Sequence, residues 1–177
     1  MSLRTPFLAF CCLISVAVPL YGADLSDLTW VVNGDGISVT ITDCDEAATG
    51  ALVIPDTIEG KAVTSIGYAA FRYCTNLNSI TIPEGVTSIG NWAFDDCYAL
   101  RTVTIPDSVT SIGDGAFDEC YDLLTVTIPD SVTSIGDWAF YCCDDLTSII
   151  IPDSVTSIGE GAFSRCSALT TIEVGAG

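Results

Sequence analysis

The sequence predicts a solenoid of stacked coils. It should have a parallel β-sheet of short strands, single helical turns on the opposite side, and a β-hairpin cap at the N-terminal end. Three observations predict it. The tripeptide Ser-Ile-Gly recurs at 65–67, 88–90, 111–113, 134–136 and 157–159, always 23 residues apart. A phenylalanine (Phe71, Phe94, Phe117, Phe140, Phe163) and a cysteine (Cys74, Cys97, Cys120, Cys143, Cys166) keep the same spacing. Residues 102–124 and 125–147 are identical at 18 of 23 positions. Self-similarity at a period of this length marks a repeat array, whose units cannot bury their apolar faces alone and must stack.

Taken from the start, residues 1–23 read as a secretory signal peptide. Arg4 supplies the positive charge, residues 7–18 the apolar run, and Pro19 a helix break. Cleavage after Gly22 or after Ala23 fits equally well. The run falls short of the ~20 residues a spanning helix needs, and no second apolar stretch follows, so no membrane span is expected once the signal is removed. Residues 24–51 form an N-terminal cap. In it, Trp30-Val31-Val32 and Ile37-Ser38-Val39-Thr40-Ile41 flank Asn33-Gly34-Asp35-Gly36, two β-rich runs around a turn.

Residues 52–177 are the solenoid of about five repeats, led by an atypical unit at 52–58. In one unit, Leu123, Val126 and Ile128 suggest a turn and then a strand with alternating faces. Pro129-Asp130 is a turn. Val132 and Ile135 suggest a second short extended piece. Asp137 sits where an N-cap would precede a single helical turn carrying Ala139 and Phe140. The recurring Gly suits either a left-handed backbone or a close approach between coils. The sequence stops at Gly177 directly after a strand, so the last coil is expected to expose an apolar face, a possible surface for self-association.

Composition narrows function. Asp and Glu outnumber Lys and Arg 23 to 5, for a formal charge of −18. Nucleic acid is not an expected partner, because phosphate recognition needs clustered Lys and Arg, and an anionic membrane surface is disfavoured for the same reason. With no histidine, one lysine and no serine set beside a base, the sequence assembles no catalytic site. No catalytic or cofactor-binding residue is assigned.

The 23-residue unit, Leu-x-x-Ile-x-Ile-Pro…Val-x-x-Ile-Gly-x-x-Ala-Phe-x-x-Cys, closely resembles the BspA-like, or treponemal-type, leucine-rich repeat over roughly residues 52–174. The resemblance implies a leucine-rich-repeat solenoid with a curved parallel sheet. It implies a secreted or cell-surface protein, often bacterial and often linked to adhesion, with no catalytic residues to carry over. This chain is short for that family and shows no attachment tail.

Several residues remain as candidates. Seven cysteines follow the signal, five of them strung along the stack. A tetrahedral zinc site needs ligands converging on one point, so the row reads as small buried apolar side chains and no metal site is assigned. Cys44 and Cys142 fall outside the row and are the candidates for a disulfide or an exposed thiol. Acidic residues stack in two phases: Glu84, Asp107, Asp130 and Asp153, then Asp114, Asp137 and Glu160. Like charges ~5 Å apart in water repel by only about 0.8 kcal/mol. Turn and cap chemistry accounts for such stripes, and bridging calcium is the alternative. The expected ligand surface is the outward row Thr81, Thr104 and Thr127, with Trp92 and Trp138 two coils apart as a possible aromatic platform. The Trp pair could equally cover the edge of the core. The reading is a binding module for an extracellular protein or glycan. The alternative is a self-associating structural protein or a fragment of a larger surface protein.

Overall fold

The structure is a computed structural model that describes residues 22–175. The apolar run of the expected signal peptide lies outside the described residues. Among the described residues no helix is long and apolar enough to cross a membrane.

Fourteen strands follow one another in chain order: β1 (Leu28–Val32), β2 (Ser38–Cys44), β3 (Gly50–Val53), β4 (Thr57–Ile58), β5 (Lys61–Ile66), β6 (Leu77–Thr81), β7 (Ser88–Ile89), β8 (Thr102–Thr104), β9 (Ser111–Ile112), β10 (Thr125–Val126), β11 (Ser134–Ile135), β12 (Ser148–Ile151), β13 (Ser157–Ile158) and β14 (Thr171–Val174). They build a solenoid with two parallel sheets. One, here the serine sheet, runs β1-β2-β5-β7-β9-β11-β13, with β4 antiparallel to β5. The other, the threonine sheet, runs β3-β6-β8-β10, and on the same side of the coil β12 pairs with β14.

The predicted hairpin is β1 against β2, antiparallel. Its turn is closed by Asp35, whose carboxylate accepts from Ile37 N at 2.9 Å and Ser38 N at 3.0 Å. β2 then pairs parallel with β5, so the hairpin is fused to the first coil.

Identical spacing fixes the register. Ser65, Ser88, Ser111, Ser134 and Ser157 face one another strand to strand, as do Ile66, Ile89, Ile112, Ile135 and Ile158. A slip of one residue would turn the serines inward and the isoleucines outward, which the apolar core forbids. The core is a set of axial rows. Phe71, Phe94, Phe117 and Phe140 are fully buried. With Phe163 their rings stack at 5.0–5.4 Å between centroids, with nearly parallel planes.

The third side of the coil differs from expectation. It holds turns, not a single α-helical turn. Trp92, Phe94 and Asp96 donate their N–H groups to Asp114, Ala116 and Asp118 of the next coil, at 2.8, 2.8 and 3.0 Å. An α-helix would need those donors for its own carbonyls. Left-handed backbone at Trp92, Asp96, Trp138 and Cys142 also interrupts helical geometry. Asp137 is therefore not an N-cap. Its Oδ1 accepts from Glu160 N of the following coil at 2.7 Å, as Asp114 Oδ1 accepts from Asp137 N at 3.0 Å and Asn91 Oδ1 from Asp114 N at 3.1 Å.

Two open alternatives are resolved. The glycine of Ser-Ile-Gly serves close approach, because positive φ falls on other glycines. Cys74, Cys97, Cys120 and Cys143 are buried and Cys166 is half-buried, and thiols of the row also donate to a carbonyl one coil back: Cys97 Sγ to Phe71 O at 3.0 Å, Cys120 to Phe94 O at 3.1 Å and Cys143 to Phe117 O at 3.2 Å. Burial pushes these three thiols up, away from the reactive thiolate. Cys44 is no exposed thiol. It is buried beside Cys74, whose Sγ lies 3.8 Å from its carbonyl, and so prolongs the row. Cys142 is half-buried, and all seven described cysteines are free.

Candidate functional site

Two rows of threonine hydroxyls stand in different states. On the serine sheet side, Thr87, Thr110, Thr133 and Thr156 each donate to the carbonyl of the threonine one coil earlier, at 3.1–3.3 Å. These hydroxyls are part of the fold. On the threonine sheet, Thr81, Thr104 and Thr127 point outward and are exposed, between buried Ile80, Ile82, Val103, Ile105, Val126 and Ile128. Among the described residues their hydroxyls have no hydrogen-bond partner within the chain. Val53 on β3 and Ile150 on β12, on the same side of the coil, are 68% and 60% exposed, so this face mixes free hydroxyls with bare aliphatic surface. It is shallow, with a groove of about 620 Å³ whose lining includes Asn76, Asn78, Arg101, Thr102 and Asp122, and a second of about 570 Å³ whose lining includes Thr127 and Ile150. Such a face suits an extended partner rather than an enclosed small molecule.

The structure does not bring the tryptophans to this face. Trp92 and Trp138 follow β7 and β11 at the far edge of the serine sheet. Each has left-handed backbone, and its ring lies over the position directly above in the next coil, Gly115 or Gly161. The alternation Trp-Gly-Trp-Gly thus explains the two-coil spacing: a glycine makes room for the ring below it. The two rings are separated by a coil and form no continuous platform. Trp92 is half-buried and Trp138 is 43% exposed, so they cover the edge of the core. A Cβ at Gly115 would enter the Trp92 ring at φ +58. Gly115→Ala should therefore cost about 2 kcal/mol. In a Trp92→Ala background the cost should fall by about half, leaving the backbone strain, and a urea-denaturation double-mutant cycle measures both.

The third side carries the most perturbed charges. Asp95 is 4% exposed, and Arg72 Nε lies 2.7 Å from its Oδ2, an ion pair without a well-aligned hydrogen bond. Burial, then the charge of Asp96, pushes the Asp95 carboxyl up to about 6. Burial, then the charge of Asp95, pushes Asp118 up to about 7. Tyr98 donates to Asp96 at 2.7 Å and Tyr121 to Glu119 at 2.6 Å, and the first bond lifts the Tyr98 phenol to about 12. The sequence analysis assigned no catalytic or binding role to Asp95-Asp96 or Asp118-Glu119 and missed this burial. The signal was available in the phase: Asp95 and Asp118 follow the buried phenylalanine directly.

In the acidic stripe, Asp114 and Asp137 are tied through Oδ1 to the backbone N–H of the next coil, at Asp137 and Glu160. Among the described residues no group of three or more Cys, Asp or Glu side chains is placed to hold a metal ion. The calcium expectation therefore has no assembled site.

The family model of the BspA type leucine-rich repeat region matches residues 52–176 in six copies. Ser-Ile-Gly occurs five times in that span, because the chain after Leu169 carries the strand of a further unit without that motif. Three solved structures are similar. A leucine-rich-repeat protein from Bacteroides ovatus is 34% identical with a TM-score of 0.74, over 83% of this chain and 39% of that one. A leucine-rich-repeat protein of T. pallidum is 26% identical with a TM-score of 0.77, over 84% and 80%. A leucine-rich-repeat protein from Bacteroides capillosus is 29% identical with a TM-score of 0.55, over 85% and 95%. The chain thus spans about two fifths of the first of these proteins. No curated protein matches the sequence.

Proposed function

The chain belongs to the BspA-type leucine-rich repeat family, and from that premise we propose that it is a secreted or cell-surface binding module, not an enzyme, that holds an extracellular protein through its threonine sheet. A glycan is the secondary ligand class. Family and fold are those of binding modules, and the observation that carries the reading is the contrast between two rows of threonines. The hydroxyls of Thr87, Thr110, Thr133 and Thr156 are spent on the solenoid itself. Those of Thr81, Thr104 and Thr127 are free, and they stand in line with exposed Val53 and Ile150. Free polar groups beside aliphatic surface on a rigid, flat face can satisfy a partner without first reorganising, which lowers the cost of binding.

The test is a biosensor comparison of the full chain with variants, against a panel of purified extracellular matrix proteins and glycans. Replacing Thr81, Thr104 and Thr127 with Arg should weaken any specific binding about tenfold or more. Thr110→Arg on the other sheet should leave it unchanged. Equal loss in both variants, or no loss in the first, contradicts this assignment of the face.

A second reading, association between copies, rests on a separate observation. The last described coil exposes Ile158 (48%), Ile172 (51%) and Val174 (72%). Light scattering across a concentration series should then show mass rising with concentration, and Ile172→Lys should abolish the rise.

A further inference from the structure

One row on the third side reads Arg72, Asp95, Asp118, Tyr141, Ser164 from coil to coil. Asp95 is almost wholly buried and has Arg72 on one side. On its other side stands Asp118, whose Oδ1 is shielded from solvent and has no hydrogen-bond partner. The two coils are in direct contact: Phe94 and Phe117 stack at 5.0 Å, and Asp96 N donates to Asp118 O at 3.0 Å.

Every ionisable neighbour except Arg72 sharpens the conflict or leaves it unrelieved. Asp96 and Glu119 flank the pair on the same two coils and add negative charge. Tyr98 and Tyr121 donate to Asp96 and Glu119, not to Asp118. From the following coil come Tyr141 and the thiol of Cys142. The guanidinium of Arg165 lies one coil further on, over the Tyr141 ring at 5.5 Å. Arg72 pairs with Asp95 and lies over the Tyr73 ring at 4.6 Å.

We infer that Asp95 and Asp118 share a proton near neutral pH, making the third side of the coil a pH-responsive element of the solenoid. Two carboxyls in neighbouring coils, partly out of water, cannot both ionise cheaply, and a proton held by the pair removes a charge that the orphaned oxygen would otherwise carry without a partner. Their raised values, about 6 and about 7, are in keeping with this and belong to the pair as a unit. Both exceed the 3.8 of a free Asp, so the folded chain holds more protons than the unfolded one over that interval. The associated stability is fully present below pH ~4 and is lost as pH rises through about 6 to 7. The solenoid should tighten on mild acidification, the reverse of a protein held by ionised salt bridges.

The experiment is a ¹³C NMR titration of the aspartate carboxyls in the full chain, with melting temperatures from pH 5.5 to 8. At least one of the two carboxyls should titrate above pH 6. In Asp118→Asn, Asp95 should titrate lower than in the wild type, and the loss of melting temperature toward pH 8 should shrink. Asp107→Asn removes the same charge from an exposed turn and should keep the wild-type slope, which separates the pair from the general repulsion of an acidic chain. Both carboxyls titrating near 4, or Asp118→Asn and Asp107→Asn behaving alike, overturns the inference. If Asp118→Asn fails to fold, the wild-type titration decides alone.

Discussion

Gly136→Ala should destabilise the solenoid by about 3 kcal/mol, the upper part of the range for forced overpacking. The glycine is not needed for its backbone angle. It is needed because its coil lies against the one before it. A Cβ there would fall 2.5 Å from Asp114 N and 2.6 Å from Gly113 C. These are backbone atoms and cannot swing aside. Gly136 N already donates to Ile112 O at 2.9 Å, and Asp114 Oδ1 holds Asp137 N at 3.0 Å. Moving the coils apart would stretch both bonds and open the core beneath. The matched control is Gly34→Ala in the hairpin turn, where a Cβ meets nothing within 4 Å. That variant should stay within about 0.5 kcal/mol of the wild type. Urea denaturation followed by circular dichroism checks both, and equal effects would show that coil contact is not what the glycine secures.

Phe117→Ala should be larger still, about 4 kcal/mol. The ring is fully buried and stacks on Phe94 at 5.0 Å and on Phe140 at 5.1 Å. Truncation opens a cavity in the middle of the row and breaks two aromatic contacts, each worth about 0.5–1.5 kcal/mol beyond burial. Phe163 has one stacked neighbour among the described residues, at 5.4 Å, and is only partly buried. Phe163→Ala should therefore cost roughly half as much. Because each coil touches only its neighbours, the Phe117 variant should unfold in more than one step. Hydrogen exchange should locate the lost protection around residues 94–140. A single cooperative loss across the whole chain would contradict this.

Much of this architecture was legible in the sequence, because the repeat is simultaneously a register. Residues 23 apart meet in space, so the rows of Phe, Cys and Ile could be assigned before any coordinate. The hairpin was legible too, since Asn33-Gly34-Asp35-Gly36 carries its own turn chemistry. The third side was not. Read within one unit, Asp137-Trp138-Ala139-Phe140 has the pattern of a capped helical turn. Its donors are claimed by the next coil, and that competition is invisible until units are stacked. Cys44 was misplaced for a related reason: it belongs to the cap, outside the 23-residue count, yet the hairpin delivers it to the end of the cysteine row.

The candidate surface was half legible. Alternation marked Thr81, Thr104 and Thr127 as outward, and they are exposed. Trp92 and Trp138 were correctly paired in phase, but the glycine between them decides what they do, and its meaning needed the ring to be seen lying over it. The difference between the two sets of threonines was beyond the sequence. Thr104 and Thr110 sit in similar local patterns, and only the direction of each hydroxyl relative to the previous coil distinguishes them.

That difference is the centre of the functional account, and one comparison of melting temperatures tests it without a partner in hand. Replacing Thr87, Thr110 and Thr133 together with Val removes three hydroxyls bonded to backbone, and replacing Thr81, Thr104 and Thr127 with Val removes three that are free. The side chains are matched in shape and strand preference, so what remains is the hydrogen bonding, worth about 0.5–1 kcal/mol per site. The first triple variant should melt several degrees lower (about 2 kcal/mol in all), while the second should melt at or slightly above the wild type. Equal melting temperatures would contradict the account, since the threonine sheet would then have no more uncommitted surface to offer a partner than the serine sheet.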